Sequence, residues 1–245
     1  MLSRILSLVL IAAASVASAG QRYDFLWVID NSSSSVPFGR TQKLIEHLPT
    51  FIQNLHGRSF RMAVTTTDYF TQRGDLVSGA NGVKVVDSTS DSAAADFASI
   101  LSTIGDTATS FWEQGLESAF QAIAKHGTDF LEDGVPLVVV YVSDADDYSC
   151  ADKCYGSEPE HNPAWLEFPT ARYASQFIEL KEKRGIQVST FALVGTPDST
   201  CAVESNGYRY TAVQPPGGVG ATSSICDDKF VSGYLNIALT LAHQP

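Results

Sequence analysis

No cysteine occurs before position 150, no apolar run is long enough to cross a bilayer, and basic residues are scarce. Each absence closes off a class of function. Sixteen Lys and Arg face 27 Asp and Glu, giving a formal charge of −11. Nucleic-acid binding needs clustered cations to neutralise phosphates, so that balance argues against it. Excess negative charge favours solubility and is compatible with cation binding. The five histidines, His47, His56, His126, His161 and His243, show no ligand spacing. Neither a G-x-S-x-G nucleophile turn nor a phosphate-binding Gly-Lys-Ser/Thr loop occurs, so a nucleophilic hydrolase or a nucleotide-binding enzyme has no motif to rest on.

What is present begins with an export pattern. Arg4 supplies a positive start, Ile5 to Ala14 an apolar stretch, and Ala17-Ser18-Ala19 a small-residue cleavage site. The apolar stretch falls well short of the about 20 residues that a spanning helix needs. Residues 1–19 are therefore expected to be a signal peptide and residues 20–245 a single domain, secreted or periplasmic, with no stable membrane span after cleavage. The four cysteines allow three pairings. In an oxidising compartment they form disulfides, and Cys150–Cys154 with Cys201–Cys226 is the favoured pairing because each bond brackets one loop. A zinc site is disfavoured, since only one pair of cysteines is close.

Strand and helix signals alternate. Tyr23 to Ile29 is an apolar and aromatic run apart from Asp24, as expected of a strand buried on both faces. Thr41 to Leu55 carries a helical stripe with Pro49 as a point of kinking or division. Arg61 to Thr67 reads as a strand, Gly74 to Val86 as a looped hairpin or short edge strand, and Ser92 to Ile104 and Phe111 to Ala124 as helices. "LVVVYV", Leu137 to Val142, is the strongest strand and runs into "SDADD". A helix from Ala164 to Arg184 stops at Gly185. A strand from Ile186 to Val194, an irregular disulfide-tied loop excursion around 197–228 and a last helix from Phe230 to His243 complete the reading. The pattern predicts an α/β fold with a doubly wound, mostly parallel open sheet flanked by helices.

In such sheets ligands bind at the carboxyl ends of strands, where strand order reverses. Asp30 and Asp144 both stand at strand ends. "DNSSS", Asp30 to Ser34, has the form D-x-S-x-S, so Asp30, Ser32 and Ser34 can turn one carboxylate and two hydroxyls to one point. An all-oxygen set suits hard divalent cations. Two neutral hydroxyls leave the ion electron-poor enough to accept a further carboxylate.

Together these segments resemble the von Willebrand factor A domain, in an exported bacterial-type branch. Its metal-ion-dependent adhesion site combines D-x-S-x-S with a distant Thr and a distant Asp. "FLWVIDNS", "AVTTTD", "EQGL" and "VVYVSDADD" carry the resemblance. The distant Asp falls on Asp144. The usual T-x-x-G-x-A-L is replaced by "SFWEQGL", which puts Ser110 in the Thr position and Glu113 in the Gly position, with Thr107 and Thr109 as rivals for the third hydroxyl. The resemblance implies a Rossmann-like sheet and Mg²⁺ (or Mn²⁺ or Ca²⁺) held directly by Ser32, Ser34 and Ser110, with Asp30 and Asp144 holding the ion and its waters. It also implies a protein or cell-surface partner that offers an acidic group, and an adhesion module rather than an enzyme. A metal-dependent phosphoester or ester hydrolase and a structural domain with a loop-stabilising metal are the alternatives.

Other acidic residues have plainer readings beside the metal one. Asp146 and Asp147 could build a second Ca²⁺ site next to Asp144, or be solvated or cap the following turn. Asp68 could add a ligand or cap a loop. Glu113 is expected to support a helix start, and Trp27 and Trp112 to pack, with Trp112 able to wall the site.

Overall fold

Tyr23–Ile29 forms β1 and is buried along its whole length. The computed structural model describes residues 22–32, 40–55, 57–104, 112–151, 169–213, 215, 219–226 and 237. After β1 come α1 (Arg40–Asn54), β2 (Phe60–Thr66), α2 (Tyr69–Gln72), β3 (Val85–Asp87) and α3 (Ala93–Thr103). The second half holds α4 (Gly115–Phe130), β4 (Leu137–Ser143), α5 (Thr170–Arg184), β5 (Val188–Val194), α6 (Tyr208–Ala212) and β6 (Gly220–Ser224). The described strands form one six-stranded sheet in the order β3-β2-β1-β4-β5-β6. All neighbours are parallel except the β2–β3 pair at one edge. The fold is α/β and doubly wound, the class expected from the sequence.

The apolar run of β1 has a physical reason in this topology. Successive side chains of a strand point to opposite faces, and here each face meets its own core. Tyr23, Phe25, Trp27 and Ile29 pack with Leu44, Leu48 and Phe51 of α1 and Phe97 and Ile100 of α3. Leu26 and Val28 pack instead with Leu116, Ala119 and Ile123 of α4 and with Tyr173 and Phe177 of α5. β4 divides the same way, Val138, Val140 and Val142 on the first face and Leu137, Val139 and Tyr141 on the second. Trp27 is a packing residue, with Phe51 edge-on at 5.5 Å and Phe97 at 5.7 Å.

Several boundaries differ from the sequence reading. α1 runs through Pro49 without division; the residue is exposed, so water can reach the carbonyl that its missing N–H leaves unbonded. The helix expected from Phe111 begins at Gly115 and runs on to Phe130. Gly185 stops α5 in the left-handed conformation, φ 66°, its N–H donating to the Leu180 and Lys181 carbonyls. The stretch around 197–228 is not simply irregular. It contains α6 and the edge strand β6, which pairs parallel with β5 from Thr190↔Gly220 to Val194↔Ser224. Gly-Ala-Thr-Ser-Ser has no apolar face to announce a strand; main-chain pairing recruits it, with Ala221 packed against the first core. Cys201 and Cys226 are joined, closing this stretch across 25 positions. Cys150 is also disulfide-bonded; Cys154, expected as its partner, lies outside the described residues, as does the helix expected from Phe230 to His243 apart from Ile237.

Candidate functional site

Strand order reverses between β1 and β4, and the two carboxyl ends there are tied to each other. The Asp30 N–H donates to the Val142 carbonyl (2.9 Å). The Ser143 hydroxyl donates to Asp30 Oδ2 (2.8 Å), and the Ser32 N–H to Asp30 Oδ1 (2.8 Å). Asp30, Asn31, Ser32, Ser143 and Asp144 are all buried. The sheet thus brings Asp30, Ser32 and Asp144 to one crevice. Ser34, Thr107, Thr109 and Ser110 lie outside the described residues.

A third segment closes over this crevice from the side of β2. The Gln114 N–H donates to the Thr67 carbonyl (2.9 Å), and the Tyr148 N–H to the Glu113 carbonyl (2.7 Å). The Gln114 amide grips the next loop at both ends, accepting from the Cys150 N–H (2.9 Å) and donating to the Ala151 carbonyl (3.2 Å). Trp112 packs edge-on against Tyr148 at 5.5 Å. Glu113 therefore enters the site with its backbone held on both sides.

Its side chain is the residue that sequence reasoning misplaced. Glu113 was expected to favour a helix start, but it precedes α4 and is only 2 % exposed. Neither carboxyl oxygen has a hydrogen-bond partner. Burial drives its pKa up to about 9, and the charges of Asp30 and Glu204 add to the rise. The Ser32 hydroxyl offsets this in part, although no well-formed bond joins the two. Burial also pushes the Asp30 carboxyl upward, helped by Asp144, while the Ser32 and Ser143 donors act against the rise. Glu204 reaches the group because its N–H, with that of Ser205, donates to the Asp144 carbonyl (2.8 and 3.1 Å). Only the "SFWEQGL" departure, a glutamate where the resembling family has glycine, marked Glu113 in the sequence.

The neighbouring acids do structural work instead. Asp147 is fully buried and accepts from the Leu116 N–H (2.9 Å), the Ser149 hydroxyl (2.7 Å), the Ser149 N–H (3.2 Å) and Arg209 Nε (3.0 Å). Ser149 Oγ in turn accepts from the Glu117 N–H (2.8 Å). These two side chains satisfy the first-turn donors of α4, which a helix cannot satisfy internally. Asp146 accepts from the Asp147 N–H and the Arg209 N–H (both 2.9 Å), and burial raises its pKa to about 6. Of these bonds only those from Ser149 belong to the turn following the pair; that from Leu116 reaches back to α4 and those from Arg209 on to α6. Asp68 likewise caps α2 through the Thr71 N–H (3.2 Å).

Among the described residues, no three acidic, imidazole or thiolate side chains converge tightly enough to cage an ion alone. Any cation here needs hydroxyl or water oxygens beside the carboxylates. Asp30, Ser32 and the orphaned Glu113 oxygens offer the hard, all-oxygen donors that Mg²⁺, Mn²⁺ or Ca²⁺ takes.

No family model matches the chain, and no curated protein matches it in sequence. Solved structures resemble it in fold. The pilus adhesin SpaC from Lactobacillus rhamnosus GG, in its open conformation, gives a TM-score of 0.50 at 12% identity, over 91% of this chain and 30% of that one. Proximal thread matrix protein 1 from the mussel byssus, with a zinc-occupied MIDAS motif, gives 0.48 at 14% identity, over 91% and 46%. Human COPII-coat protein Sec24c gives 0.43 at 12% identity, over 84% and 30%. The chain spans less than half the length of each of these proteins. The likeness to SpaC concerns the fold.

Proposed function

We propose that this chain is an exported, divalent-cation-binding interaction module, in which the β1–β4 crevice holds the ion and the ion contacts an acidic group on a protein or surface partner. The observation that carries the reading is the Ser143–Asp30 bond, which locks the D-x-S-x-S loop to the Asp144 loop at the switch point of the sheet. Asp30, Ser32 and Asp144 would hold the ion, together with Ser34 and Ser110 from the segments beyond the described residues. Mg²⁺ suits this set, as do Mn²⁺ and Ca²⁺. The ion supplies an electron-poor point that accepts a carboxylate oxygen. The chain's own part is to fix the loops and keep bulk water from the buried oxygens.

Export is supported by the Arg4-to-Ala19 pattern and by the Cys201–Cys226 disulfide, a bond that persists in oxidising compartments. No helix among the described residues is long and apolar enough to cross a membrane.

The test is titration calorimetry of residues 20–245 with Mg²⁺ and Mn²⁺, beside an Asp30→Ala/Ser32→Ala variant. We expect binding in the native protein and none in the folded variant. Equal affinity in both would refute the site. Pull-down from a surface extract with and without EDTA then reads the interaction itself, which should vanish on chelation.

A further inference from the structure

We infer that Glu113 is a ligand of the crevice ion, supplying within the chain a carboxylate where the resembling adhesion site leaves a place for a partner's acid. This rests on the cation-binding reading above and sharpens it. A carboxyl group withdrawn from water needs either a proton or partners for its oxygens. Glu113 is 2 % exposed, and both of its oxygens lack hydrogen bonds.

A side chain merely stranded by a loose loop would not be held so firmly. The Glu113 carbonyl accepts from Tyr148, and the adjoining Gln114 is bonded through its N–H and through both ends of its amide. The backbone is thus fixed on the crevice side of β2, and the carboxyl group lies within electrostatic reach of Asp30, Glu204 and the Ser32 hydroxyl. Those oxygens all carry negative or partial negative charge. The chemical species that satisfies such a set is a hard cation.

Three side-chain torsions separate the anchored backbone of Glu113 from its carboxyl group, so in this proposal the carboxylate turns to the ion while the backbone stays in place. A carboxylate added to the Asp30 and Ser32 oxygens raises the charge of the ligand set, and charge count is one of the levers that sets affinity for such ions. The site would therefore retain its ion in the absence of any partner, and an acidic partner would have to share the ion with Glu113.

Mn²⁺ is the probe, followed by electron paramagnetic resonance of the free ion on titration into wild type, Glu113→Gln, Glu113→Asp and Asp30→Ala. Circular dichroism confirms the fold of each. We expect Glu113→Gln to weaken Mn²⁺ binding at least tenfold, Glu113→Asp at least threefold, and Asp30→Ala to abolish it. Binding by Glu113→Gln within twofold of wild type, with Asp30→Ala inactive, overturns this inference and leaves the proposed function standing. Should Glu113→Gln fail to fold, wild-type affinity in Glu113→Asp overturns it instead. Absence of Mn²⁺ binding by wild type overturns both readings.

Discussion

Asp147→Asn is the substitution that asks most of the architecture behind the crevice. The native carboxylate is fully buried and takes four donors: the Leu116 N–H, two from Ser149 and Arg209 Nε. Asparagine keeps the shape but exchanges one acceptor oxygen for a donor, so at least one of those donors meets another donor. It also removes the charge facing Arg209, whose side chain is 15% exposed. Breaking a buried ion pair from one side costs about 3–5 kcal/mol, and loss of a helix cap about 1 kcal/mol. The partial exposure of Arg209 screens the pair, so we expect a total of about 3 kcal/mol in urea unfolding. A double-mutant cycle with Arg209→Met isolates the pair, for which we expect a coupling of about 2 kcal/mol. A loss under 1 kcal/mol for Asp147→Asn, or a coupling near zero, would refute the view that this carboxylate holds the start of α4.

Two further outcomes are expected. Gly115→Ala should destabilise by about 1–3 kcal/mol despite alanine's better helix propensity, because a Cβ there would lie 2.5 Å from the Tyr210 hydroxyl. That ring is buried and packed 5.0 Å from Tyr141, so it has nowhere to retreat; a stabilised variant in thermal unfolding would contradict the packing. Replacing Cys201 and Cys226 together by serine should cost about 3.5 kcal/mol by loop-closure entropy, given their separation of 25 positions. Unchanged urea midpoints would show that β6 and α6 hold this region without the bond.

The sequence made the sheet legible because parallel strands buried on both faces read as near-continuous apolar runs. "FLWVI" and "LVVVYV" leave no room for another reading. The same logic located Asp30 and Asp144, since a carboxylate ending such a run must stand at a strand's carboxyl end. β6 was illegible for the opposite reason: its Gly, Ala, Thr and Ser residues carry no periodic apolar signal. Glu113 was misread because its surroundings come from three distant segments. Nothing local distinguishes a glutamate beginning a helix from one walled in by Asp30, Glu204 and Tyr148. The Asp147–Arg209 pair, 62 positions apart, was invisible on the same ground.

The two-sided packing of β1 has a consequence for how the crevice was able to evolve. Six of its seven residues are committed to one of two separate cores, and the seventh, Asp24, is buried against Arg61, so the strand works as a ruler whose last graduation is Asp30. Inserting a single residue would exchange the two sets of side chains across the sheet and swing the terminal carboxylate away from Ser143. Variation in the side chains around the crevice is thereby confined to the loops beyond the strand ends and to the segment carrying Glu113, where a change of side chain leaves the ruler unaltered.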